Sequence, residues 1–363
     1  MPHKSVLIMA GGTGGHVYPA LAVADYLRRH DVKVTWLGTA NGIESRLVPD
    51  NGYSLIVIGV SGLRRKGVRK LLVAPFMILT ALVRALIVIR RIKPDAVLGM
   101  GGFVSGPGGI AAWLSGVPLY IHEQNSIAGL TNRLLAPFAK LVMEGFPDTF
   151  KRRAKVRSTG NPVRADLIAL AEPEQRLQQR DKHCLHLLVI GGSQGARVFN
   201  EVLPAALGRL KGKVKIEVWH QTGERNYADA VQNYAPVRDL YQLRIEPYIN
   251  NMADAYSWAD IVLCRAGALT LAEICAVGIA SILVPYPYAV DDHQTVNAGF
   301  LTRRECAVLV PEAELEDRKL ADILNEFASA GEKLMHMARS ARQLARPDAT
   351  RVVGDICMGG ACA

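Results

Sequence analysis

Three short apolar runs in this chain each end in a glycine-rich segment, and this repeated pattern constrains the fold more than any other feature. The three junctions are residues 5–10 before GGTGGH at 11–16, residues 96–98 before the glycines of 99–109, and residues 187–190 before GGSQGAR at 191–197. Strands buried on both faces of a parallel sheet are unbroken apolar runs of this kind. A glycine loop between a strand and a helix brings backbone N–H groups close to an anionic ligand. The pattern therefore predicts an α/β protein with doubly wound parallel sheets and ligand-binding loops at a sheet edge.

The length of 363 residues predicts two domains, each large enough for its own core. We expect a first domain over residues 1–160 and a second over 165–340. We expect the tail, 341–363, to be helical and to pack back toward the first domain. The segment GNPVR at residues 160–164 predicts a hinge, because the residue before a proline is restricted to extended backbone.

Apolar runs and helical periodicity place the individual elements. In the first half we predict strands at 33–37, 55–60, 95–98, 118–121 and 139–143, and helices at 17–29, 71–91 and 130–136. In the second half we predict strands at 186–190, 215–220, 243–246, 261–264, 281–284 and 307–310, and helices at 198–210, 226–234, 252–258, 269–277, 294–302, 315–328 and 333–345.

The charge and the cysteines limit the class of protein. The net charge of +10 favours an anionic partner: a nucleotide, an acidic lipid surface or a nucleic acid. Few aromatic residues interleave with the basic ones, which argues against nucleic acid. The six cysteines include no CxxC pair, which argues against a disulfide framework or a zinc site.

The first glycine segment, GGTGGH, matches neither common nucleotide-binding motif. It is not GxGxxG, no acidic residue ends the second predicted strand, and no GK[ST] of a P-loop occurs. A nicotinamide dehydrogenase is therefore disfavoured. His16 follows the glycines, where an imidazole can act as acid or base, or can simply cap the turn.

Three further polar segments follow predicted strands or open helices. In HEQN, at residues 122–125, the side chains either bind a ligand or pair with neighbouring backbone. In RAGALTLAE, at 265–273, the helix start can receive a phosphate, and Glu273 either binds a ribose or offsets the helix dipole. In DDHQT, at 291–295, a metal is disfavoured because consecutive side chains point in different directions.

The predicted helix at residues 71–91 is apolar on nearly every face. Basic residues flank it, namely Arg64, Arg65, Lys66, Arg69, Lys70, Arg90, Arg91 and Lys93. Arg84 within it and strands on both sides argue against a membrane span. We favour a crossover helix that is partly exposed as a membrane-surface patch through Leu72, Phe76 and Leu79, over a plain core helix.

Taken together and in order, the segments GGTGGH, GMGGFVSGPGG, HEQN, GNPVR, GGSQGAR, RAGALTLAE and DDHQTVNA carry a specific resemblance. The chain resembles the MurG family of bacterial N-acetylglucosaminyltransferases over about residues 4–350. The resemblance implies a GT-B fold, with two Rossmann-like domains that face a cleft. It also implies an inverting transfer from UDP-N-acetylglucosamine to the C4 hydroxyl of the N-acetylmuramyl unit of lipid I, which gives lipid II and UDP. The family acts at the cytoplasmic face of the bacterial inner membrane as a peripheral protein.

The resemblance also assigns roles to individual residues. His16 is the expected general base, with Glu123 as its partner or alternative. The resemblance implies that Thr13, Gly14 and Gly15 lie beside the donor and that Asn125 and Gln294 contact its sugar. It places Arg164 and Ser193 near the diphosphate and Ile249 at the uracil. The nucleotide-binding turn is formed by Ala268, Leu269, Thr270, Leu271, Ala272 and Glu273. No metal and no cofactor is expected. The expected partners are UDP-N-acetylglucosamine, lipid I and an anionic membrane surface.

Overall fold

The structure is a computed structural model that describes residues 4–59, 68–151, 155–178, 183–192 and 194–360, without the side chains of residues 68–74. Ser193 and the predicted basic residues Arg64, Arg65 and Lys66 lie outside the described residues. The chain forms two compact units. The first unit comprises the described residues up to Arg164 together with those from Pro347 onward, and the second comprises Ala165–Arg346.

The first unit contains a seven-stranded sheet in which every neighbouring pair of strands is parallel. Its strands are β1 (Ser5–Ala10), β2 (Lys33–Gly38), β3 (Ser54–Val57), β4 (Ala96–Gly101), β5 (Leu119–Glu123), β6 (Leu141–Glu144) and β7 (Val156–Ser158). The spatial order is β3-β2-β1-β4-β5-β6-β7. In β1, Val6 and Ile8 enter one apolar core while Leu7 and Met9 enter another. Because both faces are buried from Val6 onward, the strand is apolar from Val6 to Ala10.

Two helix layers cover this sheet. The helices of the first unit are α1 (Gly14–Arg29), α2 (Glu44–Asp50), α3 (Val68–Ile92), α4 (Ser105–Leu114), α5 (Leu130–Leu135) and, from the end of the chain, α15 (Ala349–Cys357). Helices α1 and α15 contribute to one core, and α3, α4 and α5 contribute to the other. No described helix combines the length and the apolar character that a membrane crossing requires.

The second unit repeats this plan with six parallel strands. Its strands are β8 (Leu185–Ile190), β9 (Ile216–Gln221), β10 (Gln242–Glu246), β11 (Ile261–Cys264), β12 (Ala280–Leu283) and β13 (Ala307–Leu309). Its helices are α6 (Ala165–Ile168), α7 (Pro173–Gln178), α8 (Arg197–Leu210), α9 (Tyr227–Tyr234), α10 (Met252–Trp258), α11 (Ala268–Val277), α12 (His293–Thr302), α13 (Asp317–Ser329) and α14 (Gly331–Gln343). The order β10-β9-β8-β11-β12-β13 matches that of the first six strands of the other sheet.

The predicted fold class is confirmed, because both sheets are parallel and doubly wound. The prediction missed α2, α4 and β7, and it extended β3 to residue 60, where the strand ends at Val57. The helix α4 was hidden by its glycines, which indicated a loop. A Cβ on Gly108 would lie 2.2 Å from Met9 Sδ, and one on Gly109 would lie 2.8 Å from Leu135. These glycines therefore let α4 lie directly against the sheet and α5.

The segment predicted as a hinge is packed into the first unit. Asn161, Pro162 and Val163 are buried, and Asn161 Nδ2 donates to the Gln124 carbonyl at 3.0 Å. Thr350 Oγ1, next to the start of α15, donates to the Val163 carbonyl at 3.0 Å. The second unit continues to Arg346, six residues past its expected end at residue 340, because buried residues of α14 pack within it.

Candidate active site

The predicted site residues that the structure describes lie at or beyond the carboxyl ends of parallel strands. In doubly wound sheets, ligands bind at this edge, where the strand order reverses direction. The reversal falls between β1 and β4 in the first unit and between β8 and β11 in the second. The glycine segments at residues 11–15 and 191–195 follow β1 and β8, so each unit has its own candidate ligand-binding edge.

A buried glutamate that the sequence analysis missed holds the first glycine loop. Glu44, the first residue of α2, has no exposed surface. Its Oε2 accepts from Gly12 N at 2.9 Å, and its Oε1 accepts from Thr39 N at 3.0 Å and Thr39 Oγ1 at 2.6 Å. A Cβ on Gly11 would lie 2.5 Å from this carboxylate. Glu44 of α2 therefore holds the first glycine loop next to the residues that follow β2.

His16 lies in the first turn of α1 and is half-buried. Its Nδ1 is 3.3 Å from the Gly11 carbonyl oxygen and 3.5 Å from Thr13 Oγ1. The carbonyl favours the tautomer with the proton on Nδ1, which puts the basic lone pair on Nε2. The ring lies against Gly101, whose φ is +106° and where a Cβ would approach His16 Cδ2 to 2.8 Å. The second glycine segment therefore fixes the position of the imidazole.

The other residues predicted in the first loop surround this imidazole. Thr13 is the extended N-cap of α1, and its carbonyl accepts from His16 N at 3.1 Å. Gly14 and Gly15 are the first two residues of the helix. The structure therefore brings Thr13, Gly14, Gly15 and His16 together in one helix start.

Glu123 is buried at the end of β5, and its carboxylate is fully engaged. Oε1 accepts from Asn125 N at 3.0 Å and Asn125 Nδ2 at 3.2 Å. Oε2 accepts from Gly129 N at 2.9 Å and Asn132 Nδ2 at 2.9 Å. Four donors on one carboxylate make Glu123 the organiser of the loop that carries Asn125.

The neighbouring His122 is also a structural group. Its Nε2 donates to the Gly160 carbonyl at 2.9 Å, and Gln124 Nε2 lies 3.1 Å from its Nδ1. Burial lowers the pKa of His122 to about 4, so the imidazole is neutral at physiological pH. From the sequence, the side chains of HEQN either bind a ligand or pair with neighbouring groups. In the structure His122, Glu123 and Gln124 pair with neighbouring groups.

In the second unit, Gln221 links two parts of the candidate site. Gln221 is the last residue of β9 and is buried. Its Nε2 donates to the Gly192 carbonyl at 2.8 Å, and its Oε1 accepts from Ile249 N at 3.1 Å. Ile249 is itself buried. The sequence analysis did not single out Gln221, although a polar residue at the carboxyl end of an apolar strand is a signal for this role.

The helix start at α11 has the features of an anion-binding site. Gly267 is its extended N-cap, no described side chain caps it, and its first turn has no acidic residue. Leu269, Thr270 and Ala272 are half-buried, whereas Ala268 and Leu271 are buried. Backbone N–H groups and the helix dipole at such a start favour a phosphate.

Glu273 lies in the second turn of α11 and is mostly buried. The Tyr256 hydroxyl donates to its Oε2 at 3.1 Å. Tyr256 is completely buried, so this bond fixes the carboxylate. A carboxylate offsets the helix dipole best in the first turn, and Glu273 lies beyond that turn.

The remaining predicted residues occupy loops next to these elements. Gln294, in the first turn of α12, accepts through Oε1 from Tyr286 N at 2.9 Å. Asp292 Oδ1 accepts from Thr295 Oγ1 at 2.7 Å, and His293 Nδ1 lies 2.6 Å from the Val290 carbonyl, so these groups take part in local turns. Arg164 is half-buried and is the last residue of the first unit.

Models of known protein families match both units. The glycosyltransferase family 28 N-terminal domain matches residues 6–144, and the glycosyltransferase family 28 C-terminal domain matches residues 186–353. The chain belongs to glycosyltransferase family 28. As a family 28 member it is a glycosyltransferase, and the two matches span β1 to β6 of the first sheet and β8 to β13 of the second.

Individual relatives of this family 28 chain agree with the assignment. It is 52% identical over 353 residues, 97% of this chain and 98% of the relative, to a Nitrosococcus oceani protein named UDP-N-acetylglucosamine--N-acetylmuramyl-(pentapeptide) pyrophosphoryl-undecaprenol N-acetylglucosamine transferase. A crystal structure of MurG from Acinetobacter baumannii superposes with a TM-score of 0.84 at 40% identity and covers 98% of this chain and 99% of that one. A UDP-N-acetylglucosamine 2-epimerase, 13% identical with a TM-score of 0.67 and coverage of 98% and 95%, shares the fold.

Proposed function

We propose that this glycosyltransferase transfers N-acetylglucosamine from UDP-N-acetylglucosamine to lipid I, the polyprenyl-pyrophosphate-linked N-acetylmuramyl-pentapeptide, and so forms lipid II and UDP. The main support is the identity of 52% across 97% of the chain to a relative whose name states this donor and this acceptor. The Marinobacter nauticus relative with the same name is 50% identical over 360 residues.

The donor binds at the carboxyl edge of the second unit in this proposal. The start of α11 offers backbone N–H groups to the diphosphate, and Glu273 offers a carboxylate to the ribose. Ile249 and Gln294 complete the uracil and sugar contacts, with Ser193 and Arg164 near the diphosphate. On the family resemblance, Asn125, Thr13, Gly14 and Gly15 are also proposed donor-binding residues. In this proposal the N–H groups stabilise the negative charge of the leaving UDP, so the transfer needs no metal ion.

The acceptor hydroxyl at C4 attacks the anomeric carbon with inversion, and His16 accepts its proton. The Nδ1 contact with Gly11 leaves the basic lone pair on Nε2, as a general base requires. Glu123, the rival base, already accepts four hydrogen bonds. We therefore assign to Glu123 the positioning of Asn125 and to His16 the proton transfer.

A surface of the first unit supports attachment to an anionic membrane. On α3, Ala81, Ala85 and Ile89 are buried, and Ala85 and Ile89 belong to the apolar core that includes Leu7 and Met9 of β1. The opposite side of the helix exposes the apolar stripe, defined as Phe76, Leu79, Val83 and Ile87. Phe76 is 73% exposed and Ile87 is 60% exposed. Large exposed apolar surfaces are typical of interaction sites.

The same layer of helices extends this surface and adds positive charge. Trp113 of α4 and Leu134 of α5 are exposed, and α3, α4 and α5 contain no Asp or Glu. Arg84, Arg90 and Arg91 of α3 are exposed. An apolar stripe with basic residues and no acidic ones fits the interface of a bilayer with anionic lipid. We propose that the protein attaches to the cytoplasmic face of the bacterial inner membrane, which is the side on which the donor is found.

A direct assay tests the proposed reaction. Purified protein is given radiolabelled UDP-N-acetylglucosamine and a lipid I analogue, and UDP release and label transfer to the lipid are measured. We expect both to depend on the acceptor. UDP-glucose in place of the donor is the control for sugar specificity. UDP release that is independent of the acceptor, or no label in the lipid with active acceptor present, would reject the proposal.

A further inference from the structure

The second unit carries a cluster of metal-ligating side chains at the amino-terminal edge of its sheet, the edge opposite the candidate active site. Strands β9, β8 and β11 are adjacent, and His186 of β8 pairs with Glu217 of β9. Asp260, just before β11, donates its N–H to the His186 carbonyl at 2.9 Å. Cys184 lies two residues before His186 and therefore on the same face of the strand. The sheet register thus brings together residues that are far apart in the chain.

Asp260 fixes the orientation of the His186 ring. Asp260 Oδ2 accepts from His186 Nδ1 at 2.9 Å and from His186 N at 2.8 Å. With the proton on Nδ1, the lone pair lies on Nε2, which is 3.7 Å from Glu217 Oε2. A carboxylate that accepts the second ring N–H is the usual outer partner of a metal-binding histidine.

The atoms that meet here are all electron-rich. One potential ligand atom from each of Cys184, His186 and Glu217 lies within 4.8 Å of the others. Cys184 is buried, and His186 and Glu217 are half-buried. A divalent cation that displaces the thiol proton of Cys184 would be coordinated by the sulfur, by the ring nitrogen Nε2 and by a carboxylate oxygen.

We propose that Cys184, His186 and Glu217 bind a zinc-type divalent cation, with Asp260 as the outer partner that orients His186. Thiolate, imidazole and carboxylate are a ligand set that zinc accepts in proteins. Zinc bonds of about 2.0–2.2 Å to nitrogen and oxygen in tetrahedral geometry put these two ligand atoms about 3.3–3.6 Å apart. His186 Nε2 and Glu217 Oε2, which are 3.7 Å apart, therefore need to approach each other only slightly to bind one ion. Water takes the fourth position.

The surroundings of the cluster fit a structural cation. The Trp258 ring lies edge-on to His186, with centroids 5.1 Å apart, and covers the imidazole. Strand β8 has six residues and spans roughly 20 Å, so the cluster lies a full strand length from the glycine loop. The cation therefore stabilises the start of β8, β9 and β11 and takes no part in the transfer. The proposal does not depend on the proposed function.

Metal titration tests this site on the whole protein. The chain is prepared reduced and free of metal in a Cys362→Ser background, which removes a cysteine outside the described residues. It is then titrated with Co²⁺ and, in competition, with Zn²⁺. We expect one ion per chain, a thiolate-to-cobalt charge-transfer absorption, and a rise in thermal midpoint with Zn²⁺.

Variants separate this site from adventitious binding. Cys184→Ser should abolish the charge-transfer band, Glu217→Gln should weaken Zn²⁺ binding, and Asp260→Asn should weaken it about 10–100-fold. The control is His336→Ala, at an exposed His336–Glu305 pair with 3.3 Å between Nε2 and Oε2, which should bind zinc like the parent. No charge-transfer band in the parent, or equal affinity in Cys184→Ser, would reject the cation.

Discussion

At the scale of single residues, two candidate bases differ in what already surrounds them. His16 contacts the Gly11 carbonyl through Nδ1, whereas the Glu123 carboxylate accepts four hydrogen bonds in a buried position. Burial with several donors stabilises a carboxylate as a structural group. The local contacts therefore show that Glu123 holds a loop, which supports the proposal of His16 as the base.

We predict that His16→Ala lowers kcat for lipid II formation by about 10²–10⁴-fold, because the acceptor hydroxyl loses its base. The affinity for UDP, measured by calorimetry, should change little. Glu123→Gln is the matched comparison, and it should lower the urea midpoint because two donors lose a charged acceptor. Near-normal kcat in His16→Ala together with a loss of kcat in Glu123→Gln would transfer the role of base to Glu123.

Glu44 gives a second prediction at this scale. In Glu44→Gln an amide NH₂ replaces one carboxylate oxygen and faces either Gly12 N–H or the Thr39 donors. We expect a loss of about 1–3 kcal/mol in the free energy of unfolding, measured by urea denaturation. Asp50→Asn, exposed on the same helix α2, is the control and should lie within about 0.5 kcal/mol of the parent. Equal stability of Glu44→Gln and the parent would show that the carboxylate does not hold the glycine loop.

At the scale of elements, α3 has two faces with different tasks. Its buried face, which includes Ala85 and Ile89, packs on the sheet, and its apolar stripe does not. The side chains of Leu72, Arg69 and Lys70, which the sequence analysis included in the patch, are not described. The described part alone contains both the apolar and the basic components that a membrane surface selects.

We predict that Phe76→Glu with Leu79→Glu abolishes co-sedimentation of the protein with vesicles rich in anionic lipid. Both side chains are exposed, so the thermal midpoint should stay near that of the parent. Leu240→Glu, an exposed apolar position of the second unit, is the control and should bind vesicles like the parent. High salt should release the parent, because the basic residues act through screened charges. Undiminished binding by the double variant would reject the apolar stripe as the attachment surface.

At the scale of the whole molecule, each unit contains a fully buried neutral histidine. Burial lowers the pKa of His122 in the first unit to about 4 and that of His220 in the second to about 3. His220 Nδ1 lies 2.8 Å from the Tyr234 hydroxyl. Unfolding returns both imidazoles to their ordinary pKa of about 6.5. Between these values the unfolded chain binds more protons than the folded chain, so acid favours unfolding in both units.

We predict that the free energy of unfolding falls as pH decreases from 6.5 toward 4, by about 3 kcal/mol for His122 alone. The contribution is fully present above pH 6.5 and is lost as the pH falls to the folded-state value. Urea denaturation at several pH values measures this slope. His122→Gln should reduce it, whereas His30→Gln, at an exposed position of α1's C-cap, should not. An identical slope in His122→Gln and the parent would contradict the assignment.

Much of this molecule could be predicted from local sequence because the signals are local. The apolar runs of β1 and β8 and the glycines after them identify buried parallel strands with loops at one edge, and the helix periodicity identifies the connections. The helix α4 escaped this reasoning because its glycines serve contacts with Met9 and Leu135, which come from other elements. Glycine therefore marks a loop in some places and, inside a helix such as α4, a close contact with another element in others.

The sequence by itself determined the fold class, the strand-to-loop junctions and the position of His16 just after a glycine loop. Only the tertiary structure decided which polar groups meet: Glu44 at the first loop, Gln221 between Gly192 and Ile249, and Cys184 with His186 and Glu217 at the opposite edge. The cysteines argued against zinc because no close pair occurs along the chain. The register of β8 and β9, however, places ligands from separate strands side by side. Periodicity is a property of the chain, whereas strand order and register depend on packing among distant segments, so only the folded molecule shows these groups together.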